Sequence, residues 1–415
     1  MRADGAGGGR DSLGAVRVSY LYDLPLPCRF AAPIQFLSTC RELARLGVPT
    51  TVYAGPIRDE HCLAFYGIAP HENLRIVPLF SRLPGRPELY WRLPRILHDQ
   101  SPGQTHFLIS RGETGVALLP RLRRLRPPPA VRLVYEAHRL GFAYEAERLS
   151  GRRWRLGDPL PRRAERVRRR ERAAVEGADA VLCLTAAVKH ALEASFRVAC
   201  PVLVLPSGVA PPAALSPVDS DTIRRDIDVI YAGKLEARKG LGVLLAAMQF
   251  LPGRQLWVLG GTPAEVEEHR RLAQRHGIAE RVTFAGFIEP ARVPDYLRRA
   301  RAGVCPLPTG ASVVSEEFTS PLKLLEMMAH GVPVVATDLP SVRAIAEHGR
   351  TAILVPPDDG RALAAGIDAV LGNPELAQEL RAAAARRAAE FSWATRARRL
   401  LDFLETRVAQ HRPPA

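Results

Sequence analysis

The sequence predicts an α/β protein of two doubly wound parallel-sheet domains facing each other across a central cleft. Three observations carry that reading. Short apolar runs alternate with helical stretches through both halves of the chain, which implies right-handed crossovers and sheets covered on both faces. Near the middle, "VLVLPSGVAPPAALSPVDS" turns to proline, serine and small residues, the composition of a linker between compact units. The length of 415 residues fits two or three domains, and 47% hydrophobic residues suffice for full-sized cores.

The first half opens with "MRADGAGGGRDSLGA", which has no apolar segment of the signal-peptide kind and reads as a flexible tail over 1–15. A strand "VRVSYL" follows, then a helix around Ile34 to Leu46 and a strand at Thr50 to Tyr53. "LRIVPL", "HFLIS", "RLVYEA" and "DAVLCL" supply further strands, and Gly115 to Leu125 and Ala186 to Ser195 read as helices. After the linker the alternation restarts with "DVIYAG", a helix at Gly240 to Phe250, "QLWVLGG", a helix at Ala264 to His276 and "RVTFAG". A helix near Arg292 to Ala300, "AGVCPLP", a helix in the 320s, "VPVVAT" and "AILVP" complete the second sheet, and three helices close the chain. The expected boundaries are a first domain over 16–208, a linker over 209–226, a second domain over 227–390 and a segment 391–415 that packs back on the first domain.

Six scattered cysteines without CxxC or metal-ligand spacing suit a reducing, cytoplasmic compartment. No run approaches the roughly 20 apolar residues needed to span a bilayer. The net charge of +15 is uneven: Arg152 to Arg172 holds ten arginines against three acids. No helix-turn-helix, zinc or aromatic RNA-binding pattern accompanies that segment, so a solvated helix face or an anionic membrane surface suits it better than nucleic acid. Trp154 and Leu156 among those arginines are expected to serve as a shallow apolar anchor at the inner face of the membrane.

In doubly wound folds ligands bind at the carboxyl ends of strands. Gly233 permits a tight exit from the strand at Asp228 to Ala232, and Lys234 and Lys239 follow, a pair suited to a diphosphate. In "FTSPLKLLEMMAHGVPVVA", Leu322, Leu325, Met328 and Ala329 recur at helical spacing, with Ser320 as N-cap, Pro321 in the first turn and Gly331 at the C-terminal end. Lys323 in that first turn opposes the helix dipole unless an anion shares the turn. Glu326, one turn on, suits the vicinal diol of a ribose.

These segments resemble the retaining family-4 glycosyltransferases of the GT-B fold. "YAGKLEARKG" is similar to the pattern G-R/K-L-x-x-x-K-G, and "LLEMMAHGVPVVATDLPSVRAI" to the family's E-x-M-A-x-G-x-P-V-V-A stretch. The resemblance implies that Lys234 and Lys239 hold the donor diphosphate and that Glu326 is the second acid of E-x7-E, the ribose ligand. It likewise implies that the backbone at Ile288 meets the nucleobase and that His138 lies beside the transferred sugar. Two departures stand out. Phe318 occupies the place of the first acid, with Glu317 one position early and Ser320-Pro321-Leu322-Lys323 replacing the glycine-rich turn, a variant seen within the same superfamily. Ala31 and Ala32 stand near the expected glycine pair of the first domain.

The expectation is sugar transfer from a nucleotide-diphosphate-sugar, used as co-substrate with no other cofactor, to a glycan or lipid-linked acceptor. The lysines stabilise the leaving diphosphate, no metal is required, and retention at the anomeric carbon is what the resemblance implies. Two other classes remain open: a sugar-nucleotide epimerase on the same fold, and a nucleic-acid scaffold using the arginine segment.

Overall fold

The computed structural model describes residues 16–57, 59, 61–78, 103–210, 225–310 and 312–411. The expected tail over 1–15 and the linker interior, 211–224, lie outside them.

The first sheet consists of β1 (Val16–Tyr22), β2 (Thr50–Ala54), β3 (Leu74–Pro78), β4 (Thr105–Arg111), β5 (Val131–Ala137), β6 (Ala180–Cys183) and β7 (Val202–Val204). They are parallel throughout in the order β3-β2-β1-β4-β5-β6-β7. β7 was not expected: its three residues sit between prolines, and so short a run looks like linker in sequence. The second sheet holds β8 (Ile227–Ala232), β9 (Leu256–Leu259), β10 (Val282–Gly286), β11 (Ala300–Cys305), β12 (Val334–Thr337) and β13 (Ile353–Val355). It is also parallel, in the order β10-β9-β8-β11-β12-β13. In both sheets the strand order reverses beside the first strand, and the carboxyl ends there form the crevice such folds use for ligands.

The central strands are buried on both faces, which is why they read as near-continuous apolar runs. β11 begins at Ala300, two residues before the expected strand, and the helix ahead of it is short, Val293–Arg298. The helix expected over Gly240 to Phe250 is Leu241–Ala247 between two single 3-10 turns. Gly240 takes φ +77°, and any side chain there would strike the carbonyl of Pro306.

Two features tie the halves together. The closing helix Trp393–Phe403 packs on Ala32–Arg45, sharing a core with β1 and β2 of the first sheet. The chain entering the linker meets it closely, since a side chain at Gly208 would overlap the Trp393 ring. The loop after β11 also crosses over: Val313, Val314 and Phe318 bury themselves in the core of the first domain.

Trp154 is not a membrane anchor. It is only 6% exposed and meets Phe142 edge-on at 5.3 Å, because a large apolar ring gains more from the core than from the surface. Leu156 remains exposed. Among the described residues no helix is long and apolar enough to cross a membrane.

Candidate functional site

The second domain brings three lysines to the ends of β8 and β11. Lys234 is exposed directly after β8; Lys239 is half-buried in the single turn before Leu241–Ala247; Lys323 rises from the helix Leu322–Ala329. Gly233, at φ +147°, lies so close beneath Lys323 that a Cβ there would stand 3.3 Å from the ammonium. Tyr231 organises the group. Its phenol donates to the Lys234 carbonyl at 2.7 Å, and the Lys323 Nζ rests 4.0 Å from the centre of its ring.

The charge on this site is unbalanced. Lys323 Nζ is buried without a hydrogen-bond acceptor among the described residues. Burial, then the neighbouring Lys323 and Arg238, pull Lys239 down to about 8. A lysine pulled down beside other cations, with no acceptor among the described residues at the buried Lys323 ammonium, describes a place for an anion. Lys234 is engaged at present: its Nζ stands 3.1 Å from Glu236, which also pairs with Arg238. Neither Tyr231 nor Glu236 was singled out in the sequence, since one reads as a strand aromatic and the other as an ordinary surface acid.

The helix Leu322–Ala329 differs from expectation at its start. Pro321, not Ser320, is the capping residue. The Ser320 hydroxyl instead accepts the N–H of Ser207 at 3.1 Å, because the chain entering the linker passes within reach. Leu322 is half-buried, while Leu324 and Met327 join Leu325, Met328 and Ala329 inside, so the helix is covered nearly all round. Gly331 takes φ +63° at its end. Glu326 is half-buried, and burial with no cation to oppose it raises its carboxyl to about 7. Such an acid is ready to be ionised by hydroxyl donors.

Phe318 is 2% exposed in the first domain's core. Glu317 and Glu316 both turn to Arg153, the latter at 3.2 Å. Glu147 completes this seam: its carboxylate accepts the Ser312 hydroxyl at 2.7 Å and the Val313 N–H at 2.9 Å. Ile288 lies across the cleft from the first domain, lining a cavity of about 620 Å³ with Cys28, Arg29, Phe65 and Phe287. The Arg29 guanidinium covers the Phe287 ring at 4.6 Å.

The first domain presents His138 just after β5 and Arg111 at the end of β4. Arg111 donates to His138 Nδ1 at 2.9 Å, and His138 Nε2 stands 3.2 Å from Glu136 Oε1. Both ring nitrogens are therefore occupied, and the ring has no free lone pair for a substrate proton. Burial, and then Arg111, pull His138 down to about 4 against the pull of Glu136. Burial would push Glu136 up, but His138, Arg396 and Arg111 outweigh it and hold it well below the usual carboxylate range. Glu136 also accepts from Tyr20, from Gln35 at 3.3 Å and from Arg396 at 2.6 Å. Arg111 and Arg396 were invisible in sequence, for each meets its partner across a long stretch of chain.

Comparison with known proteins agrees with the two-domain fold. A family model described as Glycosyltransferase Family 4 matches residues 34–211, and one described as Glycosyl transferases group 1 matches residues 226–373. A phosphatidyl-myo-inositol mannosyltransferase of Mycobacterium leprae is 31% identical over 183 residues, 43% of this chain and 46% of that protein. A D-inositol 3-phosphate glycosyltransferase of Jonesia denitrificans is 29% identical over 44% of this chain and 43% of its own. The chain thus spans under half the length of these curated relatives. Among solved structures, sucrose-phosphate synthase from Thermosynechococcus elongatus superposes with a TM-score of 0.70 at 22% identity, covering 94% of this chain and 98% of that one. HepE of Anabaena, in complex with UDP-glucose, gives 0.69 at 17% identity over 93% and 99%. The likeness fixes the two-domain arrangement of two Rossmann-like sheets.

Proposed function

We propose, for a chain whose two domains each match a glycosyltransferase family model, the transfer of a sugar from a nucleotide-diphosphate-sugar to an acceptor hydroxyl. The observation that carries the reading is the buried, acceptor-free ammonium of Lys323 beside Lys239 at the strand ends. A diphosphate entering there meets Lys239, Lys323 and the open N–H groups of the Leu322 helix, and it draws Lys234 away from Glu236. As the glycosidic bond breaks, charge grows on the departing phosphate, where these fixed cations stabilise it most. Three cations and a helix terminus supply the role a metal fills elsewhere. Glu326, once ionised, accepts the ribose hydroxyls, and the nucleobase lies along Ile288 in the cleft cavity.

His138 serves on this reading as a fixed wall beside the sugar and not as a proton carrier, since both its nitrogens are engaged. The proton of the acceptor hydroxyl then goes to the leaving phosphate on the same face, which gives retention. The relatives named for transfer to inositol compounds suggest a polar or lipid-linked hydroxyl acceptor. Arg152, Arg155, Arg162, Arg166, Arg169 and Arg170 are exposed, as is Leu156, a segment that suits an anionic leaflet at about 1 kcal/mol per residue. Thermal stability measured against a panel of nucleotide-sugars tests the reading: one donor should raise Tm and be consumed only when an acceptor is present. Donor conversion to an epimer with no acceptor would instead establish isomerisation.

A further inference from the structure

We propose that Arg396 is a positioning residue for the transfer: from the closing helix it holds Glu136, and through Glu136 it fixes the His138 ring in one orientation and one tautomer. The proposal rests on the cleft being the transfer site.

Arg396 lies almost two hundred residues beyond the first sheet in sequence, yet its side chain is 5% exposed inside the first domain. Its guanidinium donates to Glu136 at 2.6 Å, to the Thr39 hydroxyl at 3.1 Å, to the Leu205 carbonyl at 2.5 Å and to the Pro206 carbonyl. A buried guanidinium is costly unless its donors are matched, and here four named acceptors surround it. An aliphatic residue there would leave the Leu205 and Pro206 carbonyls and the buried Glu136 carboxylate without this donor. The charge itself has its reason in Glu136.

Glu136 has two oxygens and four donors. Tyr20 takes Oε2, while Arg396, Gln35 and His138 converge on Oε1. With Arg111 donating to Nδ1, the single ring proton of a neutral His138 must sit on Nε2, directed at Glu136. The charged and titratable groups facing this pair are Tyr20 from β1, Cys40 from the helix Ala32–Arg45, Arg111 from β4 and Arg396 from the closing helix. Without Arg396 the Glu136 charge loses its strongest hydrogen-bonded cation. Glu136 then pulls a second proton onto His138, the ring becomes an imidazolium, and Nδ1 meets Arg111 as donor against donor. The ring turns away, and the wall beside the sugar is lost.

The same guanidinium holds the chain that meets the other domain. Leu205 and Pro206 lead into Ser207, whose N–H bonds the Ser320 hydroxyl at 3.1 Å just before the donor helix. One side chain thus sets the cleft wall of the first domain and the approach to the lysine site of the second.

The test combines histidine ¹⁵N NMR with the pH profile of kcat at saturating donor, the His138 signal being assigned by its loss in His138→Gln. Wild-type protein should show His138 protonated on Nε2 and neutral down to about pH 5, in line with a ring pulled down to about 4. In Arg396→Met the ring should titrate at least one pH unit higher. Its kcat should fall on the order of a hundredfold, with a new acid limb that wild type lacks. Arg396→Lys, which keeps a cation beside Glu136, should restore the Nε2 tautomer and remove that limb. A residue that only stabilised the fold would lower Tm without moving the limb or the tautomer. If Arg396→Met does not fold, the wild-type tautomer and Arg396→Lys still decide, and a wild-type His138 that titrates near its ordinary value or carries its proton on Nδ1 overturns the proposal. Failure of the transfer reading looks different: Lys239→Ala would then turn over like wild type, whatever the His138 tautomer.

Discussion

The two walls of the cleft are built from the same topology and finished in opposite ways. At the carboxyl end of the first sheet, Glu136, His138, Arg111 and Arg396 are bonded to one another in one network. At the carboxyl end of the second, Lys323 has no acceptor among the described residues, Lys239 is pulled down by burial and then by its cationic neighbours, and Glu326 is raised by burial alone. A closed network is a surface that shapes what lies against it. An open one stores free energy that a ligand of the right charge releases. On the proposed function, the diphosphate goes to the second domain and the first serves as a fixed wall.

The comparison breaks most visibly at Lys239. Lys239→Ala should cost roughly 3 to 4 kcal/mol of transition-state stabilisation, a rate loss of hundreds to a thousandfold; single-turnover donor cleavage measures it, and an unchanged rate makes the pair ordinary surface charge.

Glu326 tests the open wall by pH. Its carboxyl is raised to about 7, above the ordinary glutamate value, so the folded state holds a proton that the unfolded state has released. That protein is most stable below the ordinary value and loses stability as pH rises toward 7. Glu326→Gln should therefore raise the Tm of the free protein at pH 8 and leave it unchanged at pH 4, while weakening donor binding. Equal Tm shifts at both pH values contradict the burial account.

The same two groups bound the binding profile. Donor affinity should rise as Glu326 ionises through about 7 and fall as Lys239 loses its proton above about 8. Isothermal titration with the preferred nucleoside diphosphate across pH 6 to 9 would show this narrow optimum, and a flat profile would count against both assignments.

The arginine face is the smallest effect. Changing Arg162, Arg166, Arg169 and Arg170 to glutamine should abolish co-sedimentation with anionic vesicles at low salt without altering donor cleavage in solution. Wild-type protein that ignores such vesicles would leave a soluble acceptor.

Much of this was legible in the sequence, and the part that was not has a physical pattern. The alternation of runs such as "VRVSYL" and "DVIYAG" gives both sheets because doubly buried parallel strands leave a strong local signal. Lys234, Lys239, Lys323 and Glu326 could be picked out because a strand-end loop and a helix start each hold their residues within a few positions. Arg396 on Glu136 joins residues 260 apart, and Arg153 on Glu317 residues 164 apart. No local spacing encodes such pairs. Trp154 misled for the related reason that flanking arginines say nothing of what lies beneath a ring, and Ser320 because its acceptor role went to a distant N–H.

The most direct measurement of the open wall is Lys323→Met, assayed by thermal unfolding with and without the nucleoside diphosphates of each base. Removing a buried ammonium that has no acceptor should leave the free protein as stable as wild type or more so, while the diphosphate-induced rise in Tm that wild type shows should vanish. A variant that is clearly destabilised when free, yet still gains the full diphosphate shift, would mean that Lys323 is a structural cation and that the donor is held elsewhere.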